Sequence, residues 1–207
     1  MPRKRKSSRL WLQEHFSDPY VKKARDSGYR SRAAFKLLEI EERDRLFKPG
    51  MTVIDLGASP GGWSQVVTKL VQPKGQVIAV DLLPIDPICG VTILQGDFCD
   101  ESMEAQLLSM VNGSKVDWVI SDLAPNLSGD PSIDMPRAMN LAVHVLTFSL
   151  KVLDRKGGFL IKLFQGEGFD TFLKNVKSHF QTVLIRKPKA SRGRSRELYL
   201  LARGSKL

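Results

Sequence analysis

Cysteine is scarce in this chain. Only Cys89 and Cys99 occur in 207 residues, and their spacing forms no CxxC pair, so no disulfide framework is expected. They read as reduced thiols of a cytosolic protein, each a small hydrophobe where buried. Neither they nor the three histidines, His15, His144 and His179, show zinc-ligand spacing, and no metal is expected. No run of 18 or more apolar residues appears, which speaks against a membrane span. The basic start, MPRKRKSS, is followed by no apolar stretch of the kind that makes a secretory signal. There is no internal repeat. With 42% hydrophobic residues, one domain with a substantial core and a few appendages is the expected scale.

What the chain does have is positive charge at its ends. The formal net charge is +10. Residues 1–36 hold 11 Lys/Arg against 3 Asp/Glu, and residues 186–207 hold 8 against 1, so the stretch between them is net acidic. Basic ends interleaved with aromatics point to a polyanion partner, most simply nucleic acid. The N-terminal cations include Arg3, Lys4, Arg5, Lys22, Lys23, Arg25, Arg30 and Arg32. The C-terminal ones include Arg186, Lys187, Lys189, Arg192, Arg194 and Arg196. Together they are expected to form one phosphate-binding surface. Tyr20, Tyr29 and Phe35 are candidates for stacking on splayed bases, with core packing the alternative for Phe35.

Residues 1–29 read as a basic, partly flexible arm containing a short amphipathic piece, RLWLQEHF, and 30–207 as a single domain. Helical spacing marks 30–47. Beyond it the pattern predicts strands at 52–56, 76–81, 91–95, 116–121, 157–163, 181–185 and 197–202. Helices are predicted at 62–71, 101–111, 134–153 and 168–178. Strands alternating with helices imply an α/β fold, a mostly parallel sheet with helices on both faces. The last two strands are close enough in sequence to form a hairpin with an antiparallel strand.

The first strand-to-helix turn, VIDLGASPGGW, is the most informative segment. Gly57, Ser59 and Gly61 satisfy the G-x-S-x-G pattern of a hydrolase elbow. That elbow needs a backbone N–H on the residue after the serine, and here that residue is Pro60, which has none. The turn also lacks the G-x-G-x-x-G of a dinucleotide site. It carries an acidic residue instead, Asp55, and its glycines would let the backbone approach a ligand. Asp81 ends the second strand roughly 20 residues past the turn, where a carboxylate accepts ribose hydroxyls. Asp97 and Asp122 end the third and fourth. Four acidic strand ends suit a cationic ligand without phosphate, and S-adenosylmethionine fits.

The segments SRAAFKL, DLGASPGGWSQV, VDLLP, GDF, SDLAPN, LIKLFQG and RSRELYL, in this order, resemble the FtsJ/RrmJ family of ribosomal RNA 2′-O-ribose methyltransferases from about Trp11 onward. The resemblance implies a Rossmann-like methyltransferase fold of seven strands with the last antiparallel. It implies S-adenosylmethionine as cofactor, held by Gly61, Trp63, Asp81, Asp97 and Asp122. It also implies a catalytic set of Lys36, Asp122, Lys162 and Glu197, with Lys162 as proton acceptor. The implied substrate is a uridine ribose in large-subunit (23S) ribosomal RNA on the 50S subunit, modified by a cytoplasmic monomer. Transfer RNA or another RNA is the alternative substrate, and a ribosome-assembly factor without catalysis is the alternative role. A ribose hydroxyl needs positioning and removal of its proton. An ordinary lysine is protonated, with a reference pKa of about 10.4. Burial and a second ammonium favour the neutral amine, whereas two carboxylates oppose it. The expected division of labour has Asp122 orient Lys162, Lys36 contact the ribose or phosphate, and Glu197 orient Lys36 or the substrate.

Overall fold

The computed structural model describes residues 18–111, 113, 115–125, 128–193 and 195–206. The expected segment RLWLQEHF and the cations Arg3, Lys4, Arg5 and Arg194 lie outside the described residues. Among the described residues the chain forms six helices and seven strands: α1 (Pro19–Asp26), α2 (Ala33–Asp44), β1 (Thr52–Leu56), α3 (Gly62–Val71), β2 (Gln76–Asp81), β3 (Val91–Gln95), α4 (Glu101–Val111), β4 (Val116–Ser121), α5 (Pro131–Val152), β5 (Leu153–Phe164), α6 (Phe169–His179), β6 (Phe180–Arg186) and β7 (Glu197–Ser205).

The strands make one sheet in the order β3-β2-β1-β4-β5-β7-β6. β1 to β5 pair in parallel, while β7 lies antiparallel to both β5 and β6. The fold is thus the expected mostly parallel α/β sheet with an antiparallel last strand. Central parallel strands covered on both faces need unbroken apolar runs, and Val53, Ile54 and Leu56 of β1, Val77 to Val80 of β2 and Trp118 to Ile120 of β4 are all buried. One face packs against α4, α5 and α6 through Leu107, Val145, Leu146, Phe172 and Val176. The other packs against α2 and α3 through Ala34, Leu37, Ile40, Trp63, Val66 and Val67. Strand order reverses between β1 and β4, and in such sheets ligands sit beyond the carboxyl ends of the strands at this point.

Several boundaries differ from the sequence reading by a few residues, and two of the differences have a clear physical reason. α1 arises inside the stretch read as an arm. Pro19 occupies its first position and Asp18 caps it, accepting from Tyr20 N at 2.9 Å. Its buried Ala24 packs with Phe35 and Ala190. β5 starts at Leu153, directly after α5, because Leu153 pairs with Val116 before a register shift that leads to Gly158 opposite Trp118. None of the described helices is long and apolar enough to cross a membrane.

Candidate active site

At the carboxyl ends of β1, β2 and β4 lies a cleft of about 460 Å³, walled by Gly57, Asp81, Leu82, Asp97, Phe98 and Asp122 among others. Its size lies within the range of small-molecule sites. Asp81 is fixed by two backbone donors: Ser59 N reaches Oδ2 at 2.8 Å and Leu83 N reaches Oδ1 at 2.8 Å. Asp97 accepts from Cys99 N at 2.9 Å. An ionised carboxylate has about four acceptor positions, so both retain capacity for ligand donors. Beside Asp97, burial and the nearby carboxylate push the Cys99 thiol up to about 12, which makes it inert as a nucleophile.

Asp55 does not share this cleft. It is 1% exposed and accepts from Ser64 Oγ at 2.6 Å. It lines an adjoining hollow of about 50 Å³ together with Trp63 and Gly62, and Gly57, Ser59 and Asp122 are common to hollow and cleft. Burial outweighs the Ser64 hydrogen bond and raises its carboxyl to about 7. The acidic rim therefore has three members, not four, because the Asp55 side chain turns inward to α3.

The glycines of the turn admit protein neighbours. A Cβ on Gly57 would stand 2.1 Å from Leu123, one on Gly61 2.6 Å from Ile88, and one on Gly62 2.3 Å from Ser31. Gly61 also has φ +106, a conformation open to glycine. Neither Gly61 nor Trp63 borders the 460 Å³ cleft. Gly61 sits under the loop that carries Ile85 and Ile88. Trp63 is buried, donates through Nε1 to Ala33 O at 2.8 Å, and packs 5.7 Å from the Tyr199 ring.

A second pocket of about 500 Å³ adjoins the cleft and is lined by Arg32, Lys36, Lys162, Phe164, Arg192 and Glu197, with Ala124 common to both. Strand register explains its composition. Lys162 of β5 stands opposite Tyr199 of β7, and Phe164 opposite Glu197. Directly paired residues project to one face, so Lys162, Tyr199 and Glu197 all face α2, which carries Lys36. Asp122 follows the end of β4, next to the Ser121–Ile161 pair.

Two ion pairs result. Lys36 Nζ lies 2.7 Å from Glu197 Oε1, and Lys162 Nζ lies 3.1 Å from Asp122 Oδ1. Lys162 also donates to the Asp122 carbonyl. The Tyr199 hydroxyl donates to Asp122 Oδ1 at 2.7 Å. Burial opposes the Asp122 charge, yet Lys162, Lys36 and the Tyr199 hydroxyl together hold this carboxyl below its ordinary value. Burial likewise opposes the Glu197 charge, and Lys36 together with Ser191 more than offsets it, leaving that carboxyl lowered. The Tyr199 phenol is pushed well up, by burial first and then by the Asp122 and Glu197 charges. It remains a donor. Tyr199 was not singled out in the sequence, where it reads as one more strand aromatic; its signal is the polar end that a buried tyrosine must satisfy.

The two basic ends meet beside this pocket. Asp18 accepts from Arg32 and lies 3.8 Å from Arg192 Nε, and Arg32 also donates to Ala190 O. Glu39 accepts from Lys189 N at 2.5 Å, Ala190 N at 2.9 Å and the Tyr20 hydroxyl at 3.4 Å. Lys22, Lys23, Arg25, Lys187, Lys189 and Arg196 are exposed around this junction. Two expected surface cations are engaged elsewhere. Arg186 forms a two-pronged pair with Asp44 at 2.7 and 2.6 Å, and Arg30 binds backbone carbonyls. The expected stacking aromatics pack on each other instead, Tyr20 and Tyr29 each 5.8 Å from Phe35. They reach this arrangement because Ala24 and Ala190 close an apolar cluster around Phe35.

Comparison with known proteins agrees with this geometry. The model of the FtsJ-like methyltransferases matches residues 29–205. A relative from Pseudomonas fluorescens named ribosomal RNA large subunit methyltransferase E is 57% identical over 199 residues, covering 96% of this chain and 95% of its own. A solved structure from Plasmodium falciparum, described as a ribosomal RNA methyltransferase, superposes with a TM-score of 0.77 at 28% identity, covering 86% of this chain and 98% of its own. An rRNA-methylase structure from Clostridium thermocellum, at 18% identity and TM-score 0.57 over 82% of this chain and 97% of its own, shares the fold.

Proposed function

The chain belongs to the FtsJ-like methyltransferase family, and on that premise we propose that it methylates the 2′-oxygen of a uridine ribose in large-subunit (23S) ribosomal RNA, on the 50S particle, using S-adenosylmethionine as donor. We infer that it does so as a cytoplasmic monomer. The observation that carries this reading is the Lys162–Asp122 ion pair, because Lys162 lines the basic pocket and Asp122 lines the cleft. The two cavities therefore meet at one pair of side chains.

The residues present fit the donor. The cleft holds two carboxylates, Asp81 and Asp97, already aligned by backbone N–H groups, which suits ribose hydroxyls and an adenine amine. Asp122, kept ionised by Lys162, Lys36 and Tyr199, suits a cationic group. When bound, S-adenosylmethionine supplies a methyl group on a positively charged sulfur. The protein's own work is positioning and proton removal. Lys162, in its unprotonated form, takes the proton of the 2′-hydroxyl. Asp122 orients Lys162 and is itself oriented by Tyr199. Lys36, held by Glu197, places the ribose or its phosphate. Lys22, Lys23, Arg25, Arg32, Lys187, Lys189, Arg192 and Arg196 attract the RNA backbone.

The experiment is incubation with labelled S-adenosylmethionine and three substrates: 50S subunits from a strain lacking the enzyme, naked 23S RNA, and transfer RNA. Mapping the labelled ribose follows. Label on one 23S uridine 2′-oxygen is the expected result, whereas label on transfer RNA, on a base, or on nothing refutes the assignment.

A further inference from the structure

Arg30 belongs by sequence to the basic N-terminal block, but its guanidinium is directed at protein carbonyls. Nη1 donates to Asp86 O at 2.6 Å and to Pro60 O at 3.2 Å, and Nη2 donates to Pro87 O at 2.8 Å. These carbonyls come from two segments. Pro60 lies in the glycine turn. Asp86 and Pro87 lie in loop 82–90, which joins β2 to β3 without a helix or strand of its own.

That loop contributes Leu82 and Leu83 to the cleft wall, and both are 63% exposed. Leu83 is tied to Asp81, and the Leu82 carbonyl accepts from Gln95 at 3.2 Å. Among the described residues, the hydrogen bonds that reach the carbonyls of 86 and 87 come from Arg30. Ile85 and Ile88 of the same loop press on Gly61, where a Cβ would also come within 3.1 Å of Arg30 Nη1. Arg30 is itself anchored: its N–H donates to Gln65 Oε1 at 2.8 Å, and Gln65 Nε2 donates to Gly28 O at 3.1 Å. A guanidinium carries five N–H donors in a rigid fork and can span several carbonyls, whereas a lysine offers one compact ammonium.

We propose that Arg30 is a positioning residue for the methyl donor, clamping loop 82–90 onto the glycine turn and so holding the Leu82–Leu83 wall of the cleft in place. This rests on the reading that the donor occupies that cleft. The test uses the full chain and its R30A and R30K variants. Each is titrated by calorimetry with S-adenosylhomocysteine and, separately, with a 23S RNA fragment, and amide hydrogen exchange is recorded on the free proteins. The clamp predicts at least tenfold weaker S-adenosylhomocysteine binding in R30A and an intermediate loss in R30K. Exchange should quicken at least tenfold at the amides of Leu83 and Val91, which donate to Asp81 Oδ1 and to Ile88 O at the two ends of the loop, and RNA affinity should change less than twofold. R30K gives the same reading should R30A not fold. Donor affinity equal to the wild type overturns the proposal, as does a loss confined to RNA affinity, which would make Arg30 a phosphate contact. Should D81A bind S-adenosylhomocysteine as the wild type does, the placement of the donor fails instead. In that case unchanged loop exchange in R30A still overturns the clamp, and faster exchange confined to the loop upholds it.

Discussion

Replacing Asp55 by Asn tests whether a buried carboxyl under the glycine turn makes stability depend on pH. Asp55 is 1% exposed and has the Ser64 hydroxyl 2.6 Å away. Burial lifts its carboxyl from the ordinary 3.8 to about 7. A group whose native pKa is raised binds its proton more tightly when folded. Its stabilising contribution is complete below about pH 4 and is lost as pH climbs through 7. Each pH unit between those limits corresponds to about 1.4 kcal/mol, so Asp55 alone removes about 3 kcal/mol between pH 5 and pH 8. Asn has the shape of the protonated acid, still accepts from Ser64, and does not titrate. Urea unfolding of wild type and D55N at pH 5, 6, 7 and 8 measures the difference directly. The variant should gain on the wild type steadily up to pH 7 and then level off. A difference that stays constant across the range refutes the buried, proton-binding carboxyl.

Other consequences follow from the same contacts. Tyr199→Phe removes the 2.7 Å hydrogen bond to Asp122; a bond to a charged group is worth about 1.5–3 kcal/mol, so single-turnover methyl transfer should slow about tenfold or more, with RNA affinity retained. Gly57→Ala forces a φ of +75 on alanine and a Cβ 2.1 Å from Leu123, and chemical denaturation should show a loss of at least about 1–3 kcal/mol. Glu39→Ala frees the backbone of 189 and 190. Filter binding should show weaker RNA affinity, and in the wild type that affinity should fall steeply with salt.

The strands and helices of the sheet were legible because central parallel strands must be apolar along their length and helices apolar along one stripe, and β1, β2 and β4 stand where that pattern puts them. α1 was not, since eight residues with one buried alanine make a stretch too short for spacing alone to mark a helix within a basic segment, and the cap at Asp18 gains meaning only once Arg32 and Arg192 gather around it. Strand ends located Asp81, Asp97 and Asp122, but not the inward turn of Asp55, which depends on Ser64 nine residues later. The glycines were recognisable as a turn. Which neighbours approach them, Leu123, Ile88 and Ser31, is a matter of tertiary packing. Lys36, Lys162 and Glu197 came from family resemblance, and no local pattern singles them out. Their proximity follows from β5–β7 register and the packing of α2, neither of which a linear pattern encodes.

The central claim is that the Lys162 amine removes the ribose proton beside the cleft. Single-turnover methyl transfer to undermethylated 50S subunits, measured for wild type and Lys162→Ala with S-adenosylhomocysteine and RNA affinities determined in parallel, tests it most directly. Transfer should fall by at least about a hundredfold, the lower end of what a general base contributes, while both affinities stay within a few-fold. Near-normal transfer by the variant, or a loss explained wholly by weaker binding, contradicts it.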